Sequence, residues 1–70
     1  MKDLLLKAAI SHYESQRDHA MATLNVYFNN AVGVGEHSNI LDEIKKWTSA
    51  LAEAEENLKV LKDNFLINNP

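Results

Sequence analysis

In the stretch YESQR, Tyr13 and Arg17 stand one helical turn apart with Gln16 between them. A phenol, an amide and a guanidinium on neighbouring turns suit an anionic ligand: the guanidinium forks onto a phosphate or carboxylate while the other two orient it. A second candidate is the loop NNAVGVGEHSN, residues 29 to 39, which holds both glycines of the chain. Backbone N–H groups of a glycine-rich turn before a helix can cradle a phosphate. Here, however, Glu36 puts a carboxylate where the anion would sit. The loop also lacks the third glycine and the preceding strand of a dinucleotide-binding fold. Gly33, Gly35, Glu36 and His37 therefore read as a hinge that supplies its own acidic cap.

Metal and catalytic chemistry find less to work with. His12 and His19 are seven positions apart, whereas helical metal pairs usually sit at i and i+4, and His37 with Glu36 has no evident third ligand. The chain has no cysteine, so a thiolate site and a disulfide framework are both ruled out. Ser11, His12 and Glu14 point to different sides of one helix, and catalysis needs a pocket that holds base and nucleophile together. The expectation is a protein that is not an enzyme and carries no metal or cofactor.

Composition points the same way. The 70 residues are 46% hydrophobic and 24% charged, with a net charge of −3. Seven basic residues scattered among ten acidic ones argue against nucleic acid, whose phosphates call for clustered Lys and Arg. The N-terminal MKDLLLKAAI has an apolar run of only three residues between charges, too short for a signal core or a membrane span. These readings predict a cytoplasmic protein that does not engage the membrane.

What must position the candidate residues is a pair of helices. After the loop, Ile40, Ile44, Trp47, Leu51, Ala54, Leu58, Leu61 and Phe65 recur at 4-3-4-3-4-3-4 spacing, a heptad seam. Asp42 with Lys45 and Lys46, and Glu55 and Glu56 with Lys59, sit off that seam at helix-favouring offsets. Before the loop, Leu6, Ile10, Tyr13, Arg17, Ala20, Leu24 and Tyr27 repeat the pattern, with Leu5, Ala9, Met21 and Phe28 widening the stripe. The expected elements are helix 1 over about 3–29, a loop over 30–38 and helix 2 over about 39–66, forming one domain over 1–70. Asn29 and Asn30 end the first helix, and Ser38 or Asn39 caps the second, with Asp42 three residues beyond Asn39.

Two seams of equal length joined by a short connection predict an all-α, antiparallel two-helix hairpin. Facing residues are then about equidistant from position 34, so that Leu24 meets Ile44, Ala20 meets Trp47, Tyr13 meets Ala54 and Ile10 meets Leu58. Arg17 falls opposite Leu51 and needs Glu14, Glu55, a partner subunit or a ligand, since a buried charge is costly alone. The expected core is Leu6, Ile10, Leu24, Ile44, Trp47, Leu51, Leu58, Leu61 and Phe65. One stripe per helix is too little to offset the ordering of the chain, roughly 1.5 kcal/mol per residue. Leu4, Leu5 and Leu6 beside Val60, Phe65, Leu66 and Ile67 leave apolar surface at the open end. Self-association into a helical bundle is the expected closure.

The stretch NVYFNNAVGVGEHSNILDEI resembles a family of small proteins of T4-like phages, especially those of cyanobacteria, which carry an NPVGxGEHPDI-like loop after a helix. Val32, Gly33, Gly35, Glu36, His37 and Ile40 match, while Ala31 and Ser38 stand where that pattern has proline. The likeness extends through ALAEAEENLKVLKDNF, so it spans about residues 20 to 66. It implies a phage origin, and so the cytoplasm of a bacterial host, with the hairpin architecture and no particular activity; the expected function is binding of a host or phage protein through an exposed helix face. A second likeness, carried by Tyr13 to Arg17 and by LDEIKKW, is to the short oligomeric helical proteins with which phages sequester cyclic-nucleotide immune signals. It implies a ligand role for Tyr13, Gln16 and Arg17.

Overall fold

A computed structural model describes residues 2–29 and 39–66, and every one of these except Asn39 is helical. Helix α1 runs Lys2–Asn29 and helix α2 runs Ile40–Leu61, continuing into a single π-helical turn, Lys62–Leu66. The two helices pack side by side as an antiparallel hairpin, a rod of 53 × 16 × 16 Å. The expected bounds agree to within a residue at three ends. The hinge residues Gly33, Gly35, Glu36 and His37, the alternative cap Ser38, and Ile67 lie outside the described residues.

No glycine or proline interrupts either helix, and each opens with acid in its first turn, Asp3 in α1 and Asp42 with Glu43 in α2, complementing the helix dipole. Thr23 and Thr48 fold their hydroxyls back onto the carbonyls of His19 and Ile44, at 2.8 and 2.7 Å, sharing those acceptors with the backbone while the α-helix continues through both. Asn39 is the residue before α2, as expected, but it caps differently. Its side chain makes no capping hydrogen bond; its own carbonyl accepts from the Glu43 N–H at 3.0 Å. With φ −83° and ψ −6° the residue is already near-helical, which turns its side chain away from the first-turn N–H groups.

Two ring and hydroxyl contacts set the register. His19 meets Trp47 and Tyr27 meets Glu43, pairs that straddle a midpoint within one position of residue 34. Ala20, Leu24, Ala54 and Leu58 are the buried apolar residues, and the two alanines have no exposed surface at all. Leu6, Ile10, Ile44, Trp47, Leu51 and Leu61 are half-buried along the same seam. The smallest side chains are thus the ones most completely covered, since alanine opposite a large residue lets two backbones close up.

Phe65 departs from the expected core. It is 62% exposed, because the heptad reading presumes a helix that stays α to its end. At Lys62–Leu66 the turn widens, each residue advances by a smaller angle, and Phe65 swings off the seam. The Asn64 side chain takes part: its Nδ2 donates to the Val60 carbonyl at 2.7 Å, the acceptor an unbroken α-helix would give to the Asn64 backbone N–H.

Removal of a core leucine is expected to be felt across the whole rod. Leu24→Ala or Leu58→Ala should lower unfolding free energy by about 2–5 kcal/mol, while Ala54→Leu should destabilise by about 1–3 kcal/mol through overpacking. Urea unfolding followed by circular dichroism checks both, and an Ala54→Leu variant as stable as the wild type would contradict the close approach at that position.

Candidate functional site

The seam near the middle of α1 holds the candidate ligand residues. Tyr13 is half-buried with the His12 ring edge-on against it at 4.9 Å. Arg17 is also half-buried, its side chain 32% exposed, and its Nε donates to Asp18 Oδ1 at 3.1 Å. This corrects the expected pairing with Glu14 or Glu55. Glu14 instead faces Lys62 across the hairpin at 3.9 Å, and an adjacent carboxylate reaches the guanidinium with less reordering of the side chain than one on the other helix. Lys59, expected beside Glu55 and Glu56, pairs forward with Asp63 at 2.7 Å.

Gln16 goes elsewhere. It is exposed and lines a shallow cleft of about 300 Å³ with His19, Trp47, Ala50 and Glu53. Gln16 and Asp18, the residue that takes up Arg17, are two positions apart and so lie about 200° apart around α1. In a single hairpin the Arg17 guanidinium, drawn to Asp18, is turned away from Gln16.

The side chains that do converge are aromatic and cationic. The His19 ring lies 4.8 Å from the Trp47 ring at a tilt of 48°, and Lys46 Nζ sits 5.2 Å from the centre of the same indole. Such contacts stabilise by up to about 1.5 kcal/mol beyond area burial. The spacing of His12 and His19 argued for a solvated or partner-facing helix face over a metal pair, and did not point to the indole. The pairing of Ala20 with Trp47 carried the missing signal, because an indole facing a methyl group overhangs the neighbouring position.

Two further grooves flank the open end of the hairpin. One, of about 450 Å³, is lined by Leu5, Leu6, Ala9, Leu61 and Phe65, with Asp3 at its rim. The other, of about 350 Å³ on the opposite flank, is more polar, with Lys7, Ser11 and Glu14 among Leu6, Ile10 and Leu66. Among the described residues no cluster of three His, Asp or Glu side chains is placed to hold a metal ion. No helix among them is long and apolar enough to cross a membrane. No family model matches the chain, and neither does any curated protein or solved structure.

Tyr27 ties α1 to the start of α2. Its hydroxyl donates to Glu43 Oε1 at 3.4 Å. Partial burial, then the Glu43 charge and this hydrogen bond, hold its pKa above the ordinary 10.0. A folded-state pKa above the unfolded one means the stabilisation is complete below pH 10.0 and is lost as pH rises through the folded value. The stability advantage of wild type over Tyr27→Phe should therefore be constant through neutral pH and shrink once pH exceeds 10.0. Urea midpoints measured in steps across that range test this, and a pH-independent difference would contradict it.

Proposed function

We propose that this is a small, non-catalytic phage protein that acts by protein–protein interaction, through a helical hairpin that associates with itself and presents its remaining faces to a host or phage protein. The observation that carries this reading is an imbalance of apolar surface. Four apolar residues are buried among the described ones, while nine large hydrophobic side chains are exposed, from Leu5 at 72% and Leu4 at 65% to Phe28 at 64% and Phe65 at 62%. A monomer gains little from such a surface, and five of the nine, Leu4, Leu5, Val60, Phe65 and Leu66, gather at the open end, where contiguous exposed apolar groups mark a binding surface. Helix α1 adds to the case: its apolar residues are spread around its circumference far more than those of α2, as in a helix covered on more than one side.

A second reading rests on Arg17. It is half-buried on the seam, one turn from Tyr13, and its partner Asp18 is itself 71% exposed. A weakly held guanidinium of this kind, brought beside its copy by association, would present two forks to a cyclic-nucleotide-type signal and sequester it. Against it stands the net charge of −3.

Sedimentation equilibrium decides the first reading: the expected outcome is a dimer or larger species at micromolar concentration, and a folded monomer would overturn it. Stoichiometric recovery of another protein on affinity purification from infected cells is expected as well. For the second reading, calorimetry against cyclic dinucleotides should give heat that Arg17→Ala abolishes at unchanged helicity. No heat from the wild type near 100 μM, on the order of −5.5 kcal/mol, would end it.

A further inference from the structure

The hairpin has two long flanks, and they differ in charge. On one, α1 presents Leu5, Ala9, His12, Gln16, His19 and Thr23 at 4-3-4-3-4 spacing, a row without a single formal charge. The α2 row beside it carries three charges, Glu43, Lys46 and Glu53. Two of these are already engaged, Glu43 by Tyr27 and Lys46 by the Trp47 ring. On the opposite flank α1 carries Lys7, Glu14 and Asp18, and α2 carries Lys45, Glu55, Lys59 and Lys62, seven charges in all, while Asp3 lines a groove on each flank. The clefts show which residues share the first flank: Gln16 and His19 line one cleft with Trp47, Ala50 and Glu53, and Leu5 and Ala9 line another with Leu61, Phe65 and Asp3.

We infer that this charge-poor flank is where a second copy of the chain docks, with the two-fold axis running along the rod so that both open ends lie together. The inference deepens the proposed self-association and rests on it. Size supports a second copy as occupant. A flank of 53 by 16 Å offers roughly 850 Å², against the roughly 800 Å² each partner contributes to a standard stable interface. Charge supports this flank, because interface centres are depleted of charged side chains.

The direction of the axis follows from where the apolar side chains lie. With the axis along the rod, α1 of one protomer runs against α2 of its partner. The Leu5–Ala9 segment then covers the partner's Leu61–Phe65 groove, and the uncharged Gln16–His19 stretch meets the partner's Glu53 and Lys46. Every helix is antiparallel to both neighbours, the arrangement of a four-helix bundle. With the axis across the rod, Leu5 would meet the partner's Val26, Glu53 would meet its own copy, and the two Leu61–Phe65 grooves would lie at opposite ends of the dimer. The π turn then has a role: it moves Phe65 from the internal seam to the flank where the partner's Leu5 arrives.

The test compares two matched substitutions of exposed leucines, Leu5→Glu on the charge-poor flank and Leu41→Glu on the charged one, 72% and 60% exposed. Neither side chain belongs to the hairpin core, and circular dichroism verifies that both variants stay helical. Sedimentation should show Leu5→Glu weakening association at least tenfold and Leu41→Glu leaving it unchanged. Ala50→Glu, on the same flank as Leu5 but far from the open end, should behave like Leu5→Glu. A dimeric wild type that Leu41→Glu dissociates and Leu5→Glu does not would overturn the inference while sparing self-association; a monomeric wild type would overturn both. The axis is read separately from a spin label on Leu4→Cys in this cysteine-free chain. Two labels within about 20 Å, or two helix diameters, are expected, and a separation approaching the 53 Å rod length would overturn the arrangement.

Discussion

The close approach of α1 and α2 at Ala20 and Ala54, both without exposed surface, is what the rest of the molecule depends on. Alanine on each helix lets a larger side chain of the other lie over the backbone, so Trp47 and Tyr13 need no cavity. That approach holds the helices in register, sets His19 against the indole and brings the Tyr27 hydroxyl to Glu43. It also limits the core. Two helices in contact along one line can enclose one seam, and a rod 16 Å thick has no second layer in which Leu5, Phe28 or Phe65 could be hidden.

Polar interactions in this rod decorate the fold and do not hold it. The ion pairs Arg17–Asp18 and Lys59–Asp63 are local to one helix, and Glu14–Lys62, which crosses between helices, spans 3.9 Å between partly exposed groups. Exposed pairs of this type typically contribute under about 1 kcal/mol. No side-chain polar atom among the described residues is buried without a hydrogen-bond partner. Stability is therefore carried by apolar contact, of which the described residues of one hairpin enclose little.

Much of this was legible in the order of residues. The 4-3-4-3 recurrence of apolar positions picks out the two helices and the seam, and each of the four buried residues, Ala20, Leu24, Ala54 and Leu58, belongs to that recurrence. Facing pairs could be read from the hinge position because an antiparallel hairpin with a short connection has one register. Less of the candidate site was legible. Arg17 was correctly placed on the seam, but its choice of Asp18 over Glu14 or Glu55 depends on rotamers, and several carboxylates lay within reach.

By itself, then, the sequence determined the helices, their antiparallel pairing and the small-against-large packing, because each follows from periodicity along a regular backbone. Only the tertiary structure decided how far each stripe is covered and how α2 ends. The widening at Lys62–Leu66 arises where the Asn64 side chain competes for the Val60 carbonyl, a balance that periodicity does not record. Tertiary structure also decided that the uncharged row of α1 and the sparsely charged row of α2 lie on the same flank. That depends on the relative rotation of the two helices about their axes, which packing at Ala20 and Ala54 sets and the spacing of residues along either chain segment does not.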